Sequence, residues 1–308
     1  MKLINLFDGD DNTVLKSGTS LHSICNRFLK KIGYSIEKIH HEKIHDMRGQ
    51  FSHPISILYH GTAVPSLIDV DIAKGRGLLI YPLQKTTHPF VYSIYEAINS
   101  SDQSSSLRET LSHYYSCVQP SSAADWIGLP STSNSPLQKF SPWALTMPWS
   151  SRTPDQLKTI RESTALEENK ALGHRLSIED GWHFWGPISA TKLDIEIQRF
   201  TKLLNSMQAN GFRRHNGHDG DIRAVILQKK DDWRWQVVGG EHRAAAICAF
   251  GYKTAPVRVL QVINRDDVDF WPGVCNGSFT RDEALRTFDI IFHGELPQVS
   301  QRWNTSDC

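Results

Sequence analysis

Five consecutive residues, Gly239-Gly240-Glu241-His242-Arg243, combine the side-chain types that do chemistry on phosphates. Two glycines let another molecule's oxygens approach the backbone closely. The residues that follow, Ala244, Ala245, Ala246, Ile247, Ala249 and Phe250 with Gly251 after them, favour a helix, so the glycines sit at its N-terminus. Backbone N–H groups there have no intrahelical partner, and such a turn attracts anions. Arg243 adds a planar fork of donors suited to phosphate, and His242 can donate to an oxyanion. Glu241 is out of place beside a bare phosphate unless Mg²⁺ bridges the two, or the carboxylate takes a proton or hydrogen bond from a hydroxyl. Glu241 is therefore the candidate catalytic group, with Gly239, Gly240, His242 and Arg243 as candidate phosphate ligands. The spacing alone fits equally well a plain tight turn, with Glu241 complementing the helix dipole and Arg243 a surface charge.

The neighbouring elements position this turn. Trp233, Trp235, Val237 and Val238 suit a strand that ends at the glycines. A preceding strand covers Ile222 to Leu227 and a following one Ala255 to Ile263. Leu193, Ile197, Phe200, Leu203, Leu204 and Met207 recur at helical spacing, which predicts a helix from Ala190 to Asn210 closed by Gly211. On its other face Glu196 and Arg199 lie three apart, the spacing of a surface pair.

Gly240-Glu241-His242-Arg243 with its alanines, then Gly251-Tyr252 and the strand Ala255-Pro256-Val257-Arg258-Val259, resembles the ParB/sulfiredoxin-like domain over roughly Trp185 to Ile263. The corresponding box reads Gly-Glu-Arg-Arg in ParB proteins and Gly-Gly-Cys-His-Arg in sulfiredoxins, and this chain mixes the two. Glu241 stands where sulfiredoxin has its reactive cysteine, so the thiol chemistry of sulfinic acid repair is not expected. The resemblance implies nucleotide phosphates at the box, since ParB proteins bind CTP there and some free-standing relatives are small-molecule kinases; ATP, ADP or CTP is the expected nucleotide. It also implies that polar residues of the 190–210 helix approach the nucleotide, which makes Glu196 and Arg199 candidate neighbours of the site.

The rest of the chain reads as mixed α/β. Ile55 to Tyr59 and Leu78 to Tyr81 read as strands, and Pro89 opens a helix through Phe90, Val91, Ile94, Tyr95 and Ile98. Ser106 with Glu109 forms a capping-box pattern for a second helix, stopped by Pro120. Six of the fourteen prolines fall between Pro120 and Pro154, which places a domain boundary there. Trp126, Trp143 and Trp149 imply that this connector drapes over the protein. Thr153-Pro154-Asp155-Gln156 starts a helix running to about Ala171, and Thr280 with Glu283 starts the last one. The expected organisation is an N-terminal mixed α/β domain (1–120), a Pro/Ser-rich connector (121–154) and a ParB/sulfiredoxin-like nucleotide-binding domain (155–308), α+β in class.

Other motifs carry less. The apolar stripe Leu21, Ile24, Cys25, Phe28 and Leu29 predicts a core helix. His41-Glu42-Lys43-Ile44-His45 matches a zinc-binding pattern formally, but its charged surroundings read as a solvated helix. His215, His218 and Asp219 sit among glycines and read as a loop. The aromatic run Trp182-His183-Phe184-Trp185 suits stacking on a base, a lid, or packing within the protein.

A formal net charge of +1 gives no electrostatic footprint for duplex nucleic acid, and no helix-turn-helix pattern follows the box. Five dispersed cysteines without a Cys-x-x-Cys pair predict a reducing compartment, and no membrane span or signal peptide is read, so a cytoplasmic location is expected. These features together predict a nucleotide-dependent phosphotransferase, using ATP, ADP or CTP with Mg²⁺, on a small-molecule or protein acceptor. The alternative is a nucleotide-gated interaction protein, and a ParB-like DNA-associated protein comes third.

Overall fold

Alternating aromatic and β-branched residues make Asp232–Gly239 a strand, β6, and its neighbour Ile222–Lys229, β5, pairs with it antiparallel through the turn at Lys230. In a computed structural model of the chain, which describes residues 44–304 apart from 52, 60–64, 172, 174 and 215–219, this hairpin lies inside a seven-stranded mixed sheet. The other strands are β1 (His45–Asp46), β2 (Ser66–Asp71), β3 (Gly75–Gly77), β4 (Tyr81–Pro82) and β7 (Thr254–Asn264). Their order is β1-β2-β7-β5-β6-β3-β4. β7 runs parallel to β5 and antiparallel to β2, with Ser66 opposite Val259 and Leu67 opposite Arg258. β3 runs parallel to β6, with Gly75 opposite Trp235.

The sheet therefore takes strands from both sides of the proline-rich stretch. The expected division at 121–154 does not separate the described residues, which belong to one compact unit, Ile44–Cys308. The physical reason is pairing: β2 and β3 satisfy their backbone groups on β7 and β6 and not within a sheet of their own. The connector packs as its tryptophans required. Trp143 stacks on Trp182 with ring centroids 5.1 Å apart, and Trp126 meets Trp185 at 5.2 Å. The aromatic run 182–185 is thus core, with Trp182, Phe184 and Trp185 all buried.

Six longer helices accompany the sheet: α1 (Pro89–Asn99), α2 (Gln103–Cys117), α3 (Pro154–Ala171), α4 (Ala190–Asn210), α5 (Glu241–Ala249) and α6 (Arg281–His293). Local chemistry sets their starts. Ser189 Oγ accepts from Lys192 N–H at α4, and Thr280 and Glu283 exchange hydrogen bonds at α6. Asp102 caps α2 ahead of the expected Ser106. Two expected strands differ. Pro54–Tyr59 is a 3₁₀ helix, and Leu78 and Leu79 turn through left-handed φ angles of 44° and 74°.

The expected helix at Leu21–Leu29 lies outside the described residues, as do His41 to Lys43, while His45 is in β1, where no helix carries it. Among the described residues no helix is long and apolar enough to cross a membrane. Cys248 and Cys275 are free thiols, whereas Cys117 is disulfide-bonded, which an all-reduced reading of the cysteines did not foresee.

Candidate functional site

Gly240 takes φ 86° and ψ 32° at the N-cap of α5, a left-handed conformation that glycine adopts without penalty. Gly240 offers no side chain to cap this helix end. At Gly239 an added Cβ would stand 2.6 Å from Nε and Nη2 of Arg223, so the glycine leaves room for that guanidinium over the turn. Arg223 projects from β5 and is exposed. Backbone donors and one accessible cation thus converge at the box, the requirement for oxyanion capture.

The three polar side chains of the box turn away from one another. Arg243 is buried and donates to the carbonyls of Gly220, Arg213 and Arg214, the last at 2.8 Å, while its guanidinium lies 5.1 Å from the Phe212 ring centroid. It holds the loop before β5. His242 Nε2 sits 2.9 Å from Glu196 Oε2, and its ring packs between Phe90 and Phe200. Arg243 and His242, expected as phosphate ligands, are thus engaged within the protein, one by backbone carbonyls and the other by a carboxylate.

Glu196, expected near the turn, meets it through His242, and Arg199 pairs with Glu196. Glu196 Oε1 accepts from Lys192 Nζ and Arg199 Nη1, each at 3.0 Å, and Lys192 Nζ also reaches Asn169 Oδ1 at 3.0 Å. The side chains of Glu196 and Lys192 are fully buried. Burial alone would raise the Glu196 carboxyl. The hydrogen bond from His242 and the charges of His242, His183 and Lys192 outweigh it and hold the carboxyl well below the usual range. His183 lies 5.4 Å from His242, and burial depresses its pKa strongly.

Glu241 faces the opposite way, into the protein. Its Oε2 accepts from Leu78 N–H at 2.9 Å, at the start of the left-handed Leu78-Leu79 turn. Burial pushes its carboxyl up to about 8 despite that hydrogen bond. Beside it stands His88, fully buried, which sequence reasoning missed. His88 Nδ1 accepts from Val91 N–H at 3.4 Å as the cap of α1, so the neutral ring carries its proton on Nε2. That Nε2 takes no hydrogen-bond partner among the described residues, and burial pushes the pKa down to about 3. The available signal was the placement of a histidine directly before a helix-opening proline.

Gly77 packs against both groups. A Cβ there would stand 2.5 Å from His88 Nε2 and 3.1 Å from Glu241 Oε2. Gly77→Ala is therefore expected to cost about 1–3 kcal/mol of stability, measured by urea unfolding. An unchanged midpoint would show that the two side chains are not held where the structure has them.

A cleft of about 600 Å³ opens elsewhere, lined by Lys74, Arg76, Asp232 and Arg234 among others, and no residue of the 239–243 turn lines it. Chemistry and cavity are thus on different surfaces. We place the candidate site at the turn, where the uncapped helix end, the perturbed carboxyl and the strained backbone coincide. His215, His218 and Asp219 lie outside the described residues, and no cluster of three metal-ligating side chains occurs among those described. The chain matches no family model, and no curated protein or solved structure matches it significantly.

Proposed function

We propose that residues 239–243 form the phosphate-binding turn of a ParB/sulfiredoxin-like, nucleotide-dependent phosphotransferase acting on a small molecule with a hydroxyl group. The observation that supports it is the uncapped N-terminus of α5, with an exposed arginine over its glycines and a buried carboxyl in its first turn. The backbone N–H groups and Arg223 hold the phosphates in this reading. Mg²⁺ fits here as a partner of the nucleotide's own oxygens, since no carboxylate cluster among the described residues would seat it separately. When bound, it neutralises charge on the phosphates.

Ionised Glu241 takes the proton of the acceptor hydroxyl while that oxygen bonds to the terminal phosphorus and the bond to the leaving phosphate oxygen breaks. A carboxyl titrating at about 8 suits this task near neutral pH. Its burial requires the turn around Leu78 to open toward the acceptor.

The test is calorimetric titration of ATP, ADP and CTP, each with Mg²⁺, followed by turnover assays with hydroxyl acceptors. One nucleotide is expected to bind, about tenfold more weakly in Arg223→Ala. Glu241→Gln is expected to keep binding and to lose about 100-fold in turnover or more. If none of the three binds the wild type, the phosphate-site reading fails.

One observation favours a second reading. His242 ties the turn to α4 through Glu196, and Arg243 ties it to the backbone of Arg213, Arg214 and Gly220. A nucleotide that moved the turn would move both, as in a nucleotide-gated switch. Binding without acceptor-dependent turnover would select this alternative.

A further inference from the structure

The cleft away from the turn is built around a buried cation. Arg76, in β3, is only 4% exposed, yet its guanidinium lines the cleft. Nε donates to Ile291 O at 2.7 Å, Nη2 to Phe292 O at 2.6 Å and Nη1 to Gly75 O at 2.9 Å. The first two cap the C-terminal end of α6, and the three together use three of the five N–H donors of Arg76. The remaining two, one on each Nη, take no partner among the described residues, and no carboxylate pairs with Arg76 there. Burial, joined by the charge of Arg234 and opposed by that of Asp232, lowers its pKa to about 10.

Further cations gather at the rim. Lys74 Nζ and Arg234 Nη1 lie 2.9 and 2.8 Å from the same Asp232 Oδ1, so two cations share one carboxylate. The other acid of the lining, Asp71, gives its Oδ1 to Ala73 N–H. His293 and the neutral donors Gln84 and Thr87 complete the polar lining. Helix capping accounts for two bonds of Arg76 and its own strand for a third, which leaves two N–H donors unmatched among the described residues and does not explain the rim cations. The volume falls in the range of small-molecule sites.

We propose that this cleft binds the oxyanion of a small molecule, a carboxylate or phosphate group, with Arg76 at the floor and Lys74 and Arg234 at the rim. The site is independent of the turn at 239–243 and does not rest on the phosphotransferase reading.

The test is titration of the full chain with inorganic phosphate and, separately, succinate, followed by ¹H–¹⁵N shifts and calorimetry. Saturable shifts are expected at 74–76, 84–87, 232–234 and 293–294 with at least one probe, and the comparison tells phosphate from carboxylate. Arg234→Ala is expected to weaken binding about tenfold, because it removes a cation and frees Asp232 to repel the ligand. Asp232→Asn is expected to tighten it about tenfold by removing the one carboxylate turned to the rim cations. A purely structural role for Arg76 predicts no such gain. The proposal is overturned if neither probe gives saturable shifts, if the shifts fall at 239–243 instead, or if the two variants leave the affinity unchanged.

Discussion

Glu196→Gln is expected to lower the unfolding free energy by about 3–5 kcal/mol, the cost of leaving a buried charge without its partner. The carboxylate serves three donors at once: Lys192, Arg199 and His242. Arg199 is 20% exposed at its side chain and can turn to water, whereas Lys192 is fully buried and would keep only neutral amide oxygens, that of Asn169 and that of the new glutamine. The ammonium therefore carries most of the penalty. Adding Lys192→Met removes the stranded charge and is expected to recover most of the loss, since the cost of breaking a buried ion pair lies mainly in the uncompensated charge left behind. Urea unfolding of the two variants measures both effects. A loss below about 1 kcal/mol in the single variant, the level of a surface pair, would mean that Lys192 finds another partner.

The second large effect is in the pH dependence of stability. Glu241 titrates at about 8 in the folded chain against an ordinary value of 4.5, so the folded state binds its proton more tightly than the unfolded chain does. That contribution is fully present below 4.5 and is lost as pH rises through about 8. Glu241→Gln keeps an uncharged side chain able to accept from Leu78 N–H and has no proton to lose. Wild type and variant are expected to be similar near the acid end. By about pH 9 the variant should be the more stable by on the order of 5 kcal/mol.

His88 acts with the opposite sign. Its folded value of about 3 lies below the ordinary 6.5, so its contribution is present above 6.5 and lost as pH falls toward 3. It is common to both proteins and cancels in their difference. Thermal melts of both across this range make the comparison, and parallel curves would show that burial does not raise the Glu241 carboxyl above its unfolded value.

Much of the frame was legible in the sequence because it depends on local signals. The stripe from Leu193 to Met207 gave α4 with its closing glycine, and Thr280 with Glu283 gave the start of α6. The α+β class holds. What could not be read was long-range pairing. Nothing local says that Ser66 will lie opposite Val259, so a proline-rich stretch passed for a boundary between domains. The site divides in the same way. The turn itself was visible, since Gly-Gly before an alanine-rich run is a local pattern, and Glu196 was placed near it through a family resemblance. The direction of each side chain was not visible. Arg243 chose backbone carbonyls, Glu241 chose the interior, and His88 and Gly77 joined it from another strand and helix, which only the assembled sheet brings together.

The threading of the sheet also sets an order of events during synthesis. β2 and β3 leave the ribosome long before β6 and β7, their partners, exist. β2 has apolar Leu67, Ile68 and Val70 to cover, and its backbone donors and acceptors stay unmatched while α1 to α4 are being made. Closure of the sheet waits for residues up to Asn264, so the nascent chain spends most of its elongation with a sticky strand in search of a mate. Helper chaperones that shield β2 over that interval would raise the yield of folded protein, and a circular permutant that begins at 155, so that β6 and β7 are made before β2 and β3, would need them less.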